Sequence, residues 1–363
     1  NVSYISSREV VVVDTQNPLN KDTGKPVITI TANEPAHGIY NGDVPFHISV
    51  EDPVAGNTYS GLASVTYEII KDDGAAPTQE ETFTYSMTER TRSADYDRIV
   101  NAAANNSNNV KIKVTAIDNA GNQTTETKDI KIDITKPEIR IVFDNNAPLN
   151  GKYYKDTRTA TVTVTERNFD ESAFRFAITN TDGTQPAISG WSHSANSGAS
   201  DEATHTCTVT FAADGDYTMS ASCTDLAGNS QESEAVPEFT IDKTLPTVNV
   251  TYNNNSAQNG KYYKEARTAT ITITEHNFRA ADVRVTTTAS LNGAAISAPT
   301  VSGWSTSGDR HTATITYGKD GDFTFDIAYI DLAGNAMADY SQDSFTVDMT
   351  EPEVRSEERR VGK

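Results

Sequence analysis

The feature that most constrains this chain is an internal repeat. NGKYYKDTRTATVTVTERNF at 150–169 returns as NGKYYKEARTATITITEHNF at 259–278, 109 residues later. FTIDKTLP at 239–246 returns as FTVDMTEP at 345–352, and SGW at 189–191 returns at 302–304. A near-identical loop is spelled three times, as AIDNAGNQ (116–123), CTDLAGNS (223–230) and YIDLAGNA (329–336). Self-similarity at a fixed period means that one folding unit is used several times in tandem. The divisions expected are 1–17, the last strand and linker of a preceding copy; 18–134, a diverged copy; 135–243 and 244–350, two complete copies; and 351–363, the start of a further copy with a foreign tail. The opening REVVVVDTQNP reads as the strand and linker that end a copy, so the N-terminus is expected to be cut. The final RSEERRVGK reads as a translated sequencing adapter on a truncated metagenomic fragment.

Within a copy the apolar positions recur every second residue. In RTATVTVTE, Ala160, Val162 and Val164 alternate with Thr159, Thr161, Thr163 and Thr165. That is the pattern of a strand with one buried face, since successive side chains point to opposite sides of a sheet. HTCTVTFAADGDYTMSASCTD (205–225) and HTATITYGKDGDFTFDIAYID (311–331) alternate on both sides of a central Asp-Gly. Short strands with turn signals about every ten residues predict an all-β chain of tandem antiparallel sandwiches. Only 36% of the residues are hydrophobic, which suits thin modules better than one large catalytic core.

The order of these segments resembles the bacterial immunoglobulin-like repeats of large surface proteins. In this order, FTID.T.P is followed by NG.YY, RTAT.T.TE.NF, a Trp, HT.T.T, DGDY or DGDF, and TD.AGN. The resemblance implies immunoglobulin-like antiparallel β-sandwiches arranged as a monomeric rod, and an extracellular, cell-surface or secreted setting. Asp214-Gly215-Asp216-Tyr217 is similar to the corner of such sandwiches where a Tyr hydroxyl bonds back to the backbone, although the third copy has Phe323 there.

In a sandwich of this kind the DLAGN turn, the end of the TATVTVTE strand and the incoming linker share the N-terminal pole. Asp133, Glu166, Asn168, Asp225 and Asn229 are therefore expected to meet at one joint, and Asp242, Glu275, Asn277, Asp331 and Asn335 at the next. The first copy offers Asp14, Glu51, Asp52, Asp118 and Asn122, with VEDP departing from TE.NF. Carboxylate and amide oxygens converging from several segments suit a hard cation such as Ca²⁺, which takes about six to eight oxygens. The resemblance points the same way, because similar adhesin repeats are stiffened by calcium at their joints. The competing reading is turn chemistry: Asp accepting bonds from its own turn, Gly supplying a positive φ and Asn closing the loop.

The remaining features narrow the function by exclusion. A net charge of −20, spread along the chain, leaves no basic stripe for nucleic acid. No apolar run approaches the roughly 20 residues needed to span a bilayer. The six His residues show no zinc spacing, and neither a G-x-S-x-G elbow nor a phosphate-cradling loop occurs, so no catalytic site is expected. Cys207 and Cys223 are in phase with inward-facing positions and read either as a disulfide or as two buried free thiols. Lys152 and Lys261, with Glu166 and Glu275 in the same repeats, raise the question of a Lys–Asn crosslink, against which NGKYYK reads as an exposed turn. The pairs Tyr153–Tyr154 and Tyr262–Tyr263 read either as a stacking surface or as one core and one edge residue each. Two functions follow. One is a non-catalytic stalk or adhesion region that projects a distal domain toward an unidentified surface ligand or a host or cell-wall component. The other is a set of accessory modules of a secreted carbohydrate-active enzyme.

Overall fold

The computed structural model describes residues 22–72 and 82–354. The first sandwich comprises β1 (Val27–Ala32), β2 (Ile39–Tyr40), β3 (Val44–Glu51), β4 (Leu62–Lys71), β5 (Thr82–Thr91), β6 (Ser93–Val100), β7 (Ser107–Asp118) and β8 (Gln123–Ile132). The second comprises β9 (Glu138–Phe143), β10 (Tyr153–Tyr154), β11 (Arg158–Thr165), β12 (Arg175–Asn180), β13 (Ala187–Ile188), β14 (Ser192–His193), β15 (Thr204–Phe211), β16 (Gly215–Thr224), β17 (Ser230–Glu232) and β18 (Val236–Ile241). The third comprises β19 (Thr247–Tyr252), β20 (Tyr262–Tyr263), β21 (Arg267–Thr274), β22 (Arg284–Leu291), β23 (Ala294–Ala295), β24 (Ser305–Ser307), β25 (Arg310–Tyr317), β26 (Gly321–Ala328) and β27 (Asp343–Val347). Each sandwich is built from two sheets, and in the second these run β13-β15-β11-β9 and β10-β18-β16-β12. All pairings are antiparallel except three two-residue contacts, β2 with β8, β10 with β18 and β20 with β27.

Alternation in the sequence becomes alternation in burial. Along β11 the residues Arg158, Ala160, Val162 and Val164 are buried while the threonines between them are not. Threonine does more than solvate the outer face: Thr66–Thr84, Thr115–Thr125 and Thr268–Thr316 share cross-strand hydroxyl bonds of 2.9, 3.1 and 3.1 Å. Such pairs stabilise a sheet on its wet side. On the dry side Phe143, Val162, Val209, Phe211, Met219, Phe239 and Ile241 form one core, with Trp191 packed against it and Trp304 against the core of the third sandwich.

The Tyr217 hydroxyl donates to the Ala213 carbonyl at 2.8 Å, while Phe323 serves the third core as a plain aromatic. Tyr154 and Tyr263 are buried, Tyr153 is half-buried and Tyr262 exposed, so each pair contributes one core residue and one edge residue and offers no paired stacking surface. Cys207 and Cys223 are free thiols buried in the second core, on β15 and β16 of facing sheets; no disulfide joins them. Burial pushes them up to about 11 and about 12, so neither is a ready nucleophile.

One core feature is absent from the sequence expectations. The Arg158 guanidinium lies over Phe143, Tyr154 and Phe239 at 3.7, 4.4 and 4.6 Å, and its Nε donates to the Asn145 carbonyl at 2.8 Å. Arg267 repeats this over Tyr252, Tyr263 and Phe345 at 3.6, 4.3 and 4.5 Å. A desolvated cation against aromatic faces contributes about 2 kcal/mol. Arg158→Met keeps the stem but removes the charge and its hydrogen bonds, and is expected to destabilise the second sandwich by about 2 kcal/mol. Hydrogen exchange of β11 and β15 amides, compared with β21 and β25 as internal reference, measures it.

Candidate metal centres at the joints

The topology carries Asp133, Glu166 and Asp225 to one place. β11 runs antiparallel to β9 with Thr165 opposite Glu138, and to β15 with Thr165 opposite Thr204, so the loop after Thr165 sits at the N-terminal pole. β16 runs from Gly215 toward that same pole and delivers the Asp225 turn there. Oxygens of Asp133, Glu166 and Asp225 lie within 4.8 Å of one another, as do those of Asp242, Glu275 and Asp331. A third cluster joins Asp22, Asp52 and Asp118. All nine residues are buried.

Turn chemistry accounts for part of this. Asp225 Oδ1 accepts from the Ala227 and Asn229 amides, both at 2.8 Å, and Asn229 Nδ2 donates to Asp225 Oδ2 at 2.8 Å. Gly228 and Gly334 have φ of 93° and 92°, and a Cβ on Gly334 would stand 2.7 Å from Leu149 Cδ1 of the preceding sandwich. The positive φ favours glycine there, and the leucine tip would have to shift for any larger residue.

The asparagines do more than close their turns. Asn229 Nδ2 also donates to the Asp133 carbonyl at 2.9 Å, Asn335 Nδ2 to the Asp242 carbonyl at 2.9 Å and Asn122 Nδ2 to the Asp22 carbonyl at 3.2 Å. Asn168 Nδ2 donates to Asp133 Oδ2, and Asn277 Nδ2 to Asp242 Oδ2 at 2.8 Å. The five asparagines thus stand beside the carboxylates as donors that orient them, and the converging oxygens belong to the acids.

Turn chemistry leaves the third acid unexplained. Glu166 Oε1 accepts from the Asn168 amide at 2.6 Å, and Glu275 Oε1 from the Asn277 amide at 2.8 Å. Their Oε2 atoms, and Oδ1 of Asp52, are buried with no hydrogen-bond partner. An unpartnered buried carboxylate oxygen is costly. Burial pushes Glu166 up to about 8 and Glu275 up to about 7, with neighbouring acids adding to the rise. Asp225, Asp242 and Asp52 are also raised, chiefly by burial. Three carboxylates, one of them with an unpartnered oxygen, form an all-oxygen donor set that suits a hard divalent cation.

Several sequence expectations change. Asp14 lies outside the described residues, and the acid that completes the first cluster is Asp22. Glu51 is not part of it: it is exposed and pairs with Arg92 at 2.5 Å. A signal for Asp22 exists, because Asp22, Asp133, Asp242 and Asp348 each stand four residues before a Pro. Asp14 shares that spacing with Pro18, which hides the choice. Lys152 does not approach Glu166. It pairs with Asp216 at 3.1 Å and Glu238 at 2.5 Å, at the other end of β11, so a crosslink through Glu166 is geometrically closed. His205 Nε2 lies 2.8 Å from the Glu166 carbonyl and its ring stacks on Phe169; His311 holds Glu275 and Phe278 in the same manner. Both histidines position the loop that carries the glutamate. His193 meets His205 across β14 and β15, a pairing that sequence spacing does not reveal.

Residues 12–134 match a family model described as a bacterial Ig-like domain, and all three modules are antiparallel β-sandwiches. Among solved structures, the chain is similar to a tetra-tandem repeat in the extending region of a large adhesion protein. That match has 14% identity and a TM-score of 0.40 and covers 91% of this chain and 76% of that one. It is also similar to dimeric latent PorU from Porphyromonas gingivalis (13% identity, 89% and 34% covered, TM-score 0.20) and to a marsupial T cell receptor (8% identity, 88% and 99% covered, TM-score 0.23). No curated protein sequence matches. Among the described residues no helix is long and apolar enough to cross a membrane.

The raised carboxyls give the metal-free protein a pH dependence of known sign. The folded state holds protons on Glu166 and Glu275 that the unfolded chain releases above about 4.5, so this stability is lost as pH rises through about 7 to about 8. In chelator, the melting temperature is expected to rise on acidification from pH 8.5 to pH 6.5, and Glu166→Gln with Glu275→Gln to flatten that slope. Thermal melts across this window check it.

Proposed function

We propose that this chain is a non-catalytic repeat region of a bacterial surface protein, which carries a distal functional domain away from the cell and is stiffened by calcium at its inter-sandwich joints. The observation that carries the reading is that the acids at each joint come from both sides of it, and that each cluster retains a buried oxygen without a partner. Asp133 ends the first sandwich while Glu166 and Asp225 belong to the second; Asp242 stands in the same relation to Glu275 and Asp331. A cation held by all three acids would fix the angle between neighbours. It would also offset the repulsion of three buried carboxylates. The match of residues 12–134 to the bacterial Ig-like domain supports a repeat module rather than an enzyme.

The residues that would hold the ion are Asp22, Asp52 and Asp118; Asp133, Glu166 and Asp225; and Asp242, Glu275 and Asp331. The ion would supply charge neutralisation and a multidentate brace, not reaction chemistry. Calcium at a few millimolar, added to chelator-treated protein, is expected to raise the melting temperature by at least about 5 °C, the shift of roughly 1 kcal/mol in a module of this size. Magnesium is expected to do less, since it demands a tighter octahedron. Coincident melts in calcium and chelator would remove the brace and leave plain spacers.

A further inference from the structure

The joints before the second and third sandwiches differ at two positions that face each other. Glu166 N donates to the Ala203 carbonyl and Glu275 N to the Asp309 carbonyl, which sets the two loops in register. In that register Arg167 corresponds to His276 and Glu202 to Gly308. The Arg167 side chain is 1% exposed, and its Nη2 lies 2.8 Å from Asp133 Oδ1. The same Nη2 donates to Asn106 Oδ1 of the first sandwich at 2.8 Å, while Nη1 reaches the Ser200 carbonyl at 3.0 Å and Glu202 Oε1 at 3.3 Å. Asp133 Oδ1 also accepts from the Thr135 amide at 3.0 Å. A carboxylate oxygen offers about two acceptor sites, so this one is saturated.

The next joint is arranged differently. Asp242 Oδ1 accepts from the Thr244 amide at 3.1 Å, with no guanidinium beside it among the described residues. His276 turns outward, its side chain 72% exposed and its Nδ1 2.9 Å from Asp309 Oδ1. A cavity of about 280 Å³ opens at this joint, lined by Asp182, Asp214, Asp216 and Asp309 as well as by Asp242 and Glu275. Two of the three acids thus line it, and Glu275 Oε2 is buried without a partner.

We infer that the joint before the third sandwich, at Asp242, Glu275 and Asp331, is a divalent-cation site of calcium type that fills at lower concentration than the joint before the second, where Arg167 is the resident cation. This rests on the reading of the joints as calcium sites and adds an order among them. A guanidinium engaging a ligand oxygen must be displaced before an ion can use that oxygen, and charge-assisted bonds of this kind are about twice as strong as neutral ones.

The test titrates the full, chelator-stripped chain with calcium chloride and reads hydrogen exchange separately in the turns 225–229 and 331–335, alongside calorimetry. The 331–335 turn is expected to gain protection at a calcium concentration lower by about tenfold or more. His276→Arg, at an exposed position, is expected to move that midpoint up by about tenfold, and Arg167→His to move the 225–229 midpoint down. Coincident midpoints, or a 331–335 midpoint unmoved by His276→Arg, overturn the order while leaving calcium binding intact. No protection and no heat at millimolar calcium overturn both this inference and the reading beneath it.

Discussion

Each inter-sandwich joint depends on one residue that belongs to two modules. The Asp133 amide donates to the Tyr40 carbonyl of the first sandwich at 2.8 Å, while its carbonyl and carboxylate are held by Asn229, Asn168 and Arg167 of the second. Asp242 repeats this, bonded behind to the Tyr154 carbonyl at 2.9 Å and ahead to Asn335 and Asn277. Asp348 makes the same backward bond, its amide reaching the Tyr263 carbonyl at 2.8 Å. The contacts of Asp133 and Asp242 with the following module make the charge each carries a property of the junction.

That burial has a cost, and the sandwiches meet it in more than one way. A carboxylate removed from water needs donors or an opposite charge. Turn amides satisfy Asp118, Asp225 and Asp331, and would do so in a solitary domain. Nothing in the turn calls for Glu166, Glu275 or Asp52. Asp52 accepts from the Gly61 amide at 2.6 Å, a loop that the other two sandwiches do not use, yet like Glu166 and Glu275 it joins two other acids and keeps one oxygen without a partner. Different local sequences, VEDP and TE.NF, thus arrive at the same donor set. Arg167 answers the charge internally at one joint, and His276 leaves it unanswered at the next.

The legible part of this chain was what depends on periodicity. Thr-x-Thr alternation marks β11, β15, β21 and β25, and the thrice-written Asp-x-Ala-Gly-Asn marks a turn whose Asp and Asn bond as their chemistry dictates. Once strand direction is known, the convergence of Asp133, Glu166 and Asp225 follows from chain order alone. What stays hidden involves partners chosen by packing rather than spacing. Arg167 in TERNF looks like an ordinary surface residue until Asn106 and Glu202 close over it. Arg158 opens a polar-looking RTAT, and its aromatic surroundings come from three separate strands. Asp22 lies hidden behind Asp14, which has the same distance to a proline.

The second and third sandwiches each bury an arginine at the start of β11 or β21 and a trio of acids beyond its far end. At one end a guanidinium is buried among aromatic rings; at the other, acids are buried among amides. They are separated by the eight residues of β11 or β21, about 25 Å of extended chain. The first sandwich carries Val44 where the others begin with Arg158 and Arg267, yet it keeps its three acids. Core and joint can therefore vary independently. Exchange of Arg167 for His, or of Glu for Asp, changes what faces the linker aspartate at a joint and leaves the apolar interior, on which each module's own stability rests, unchanged.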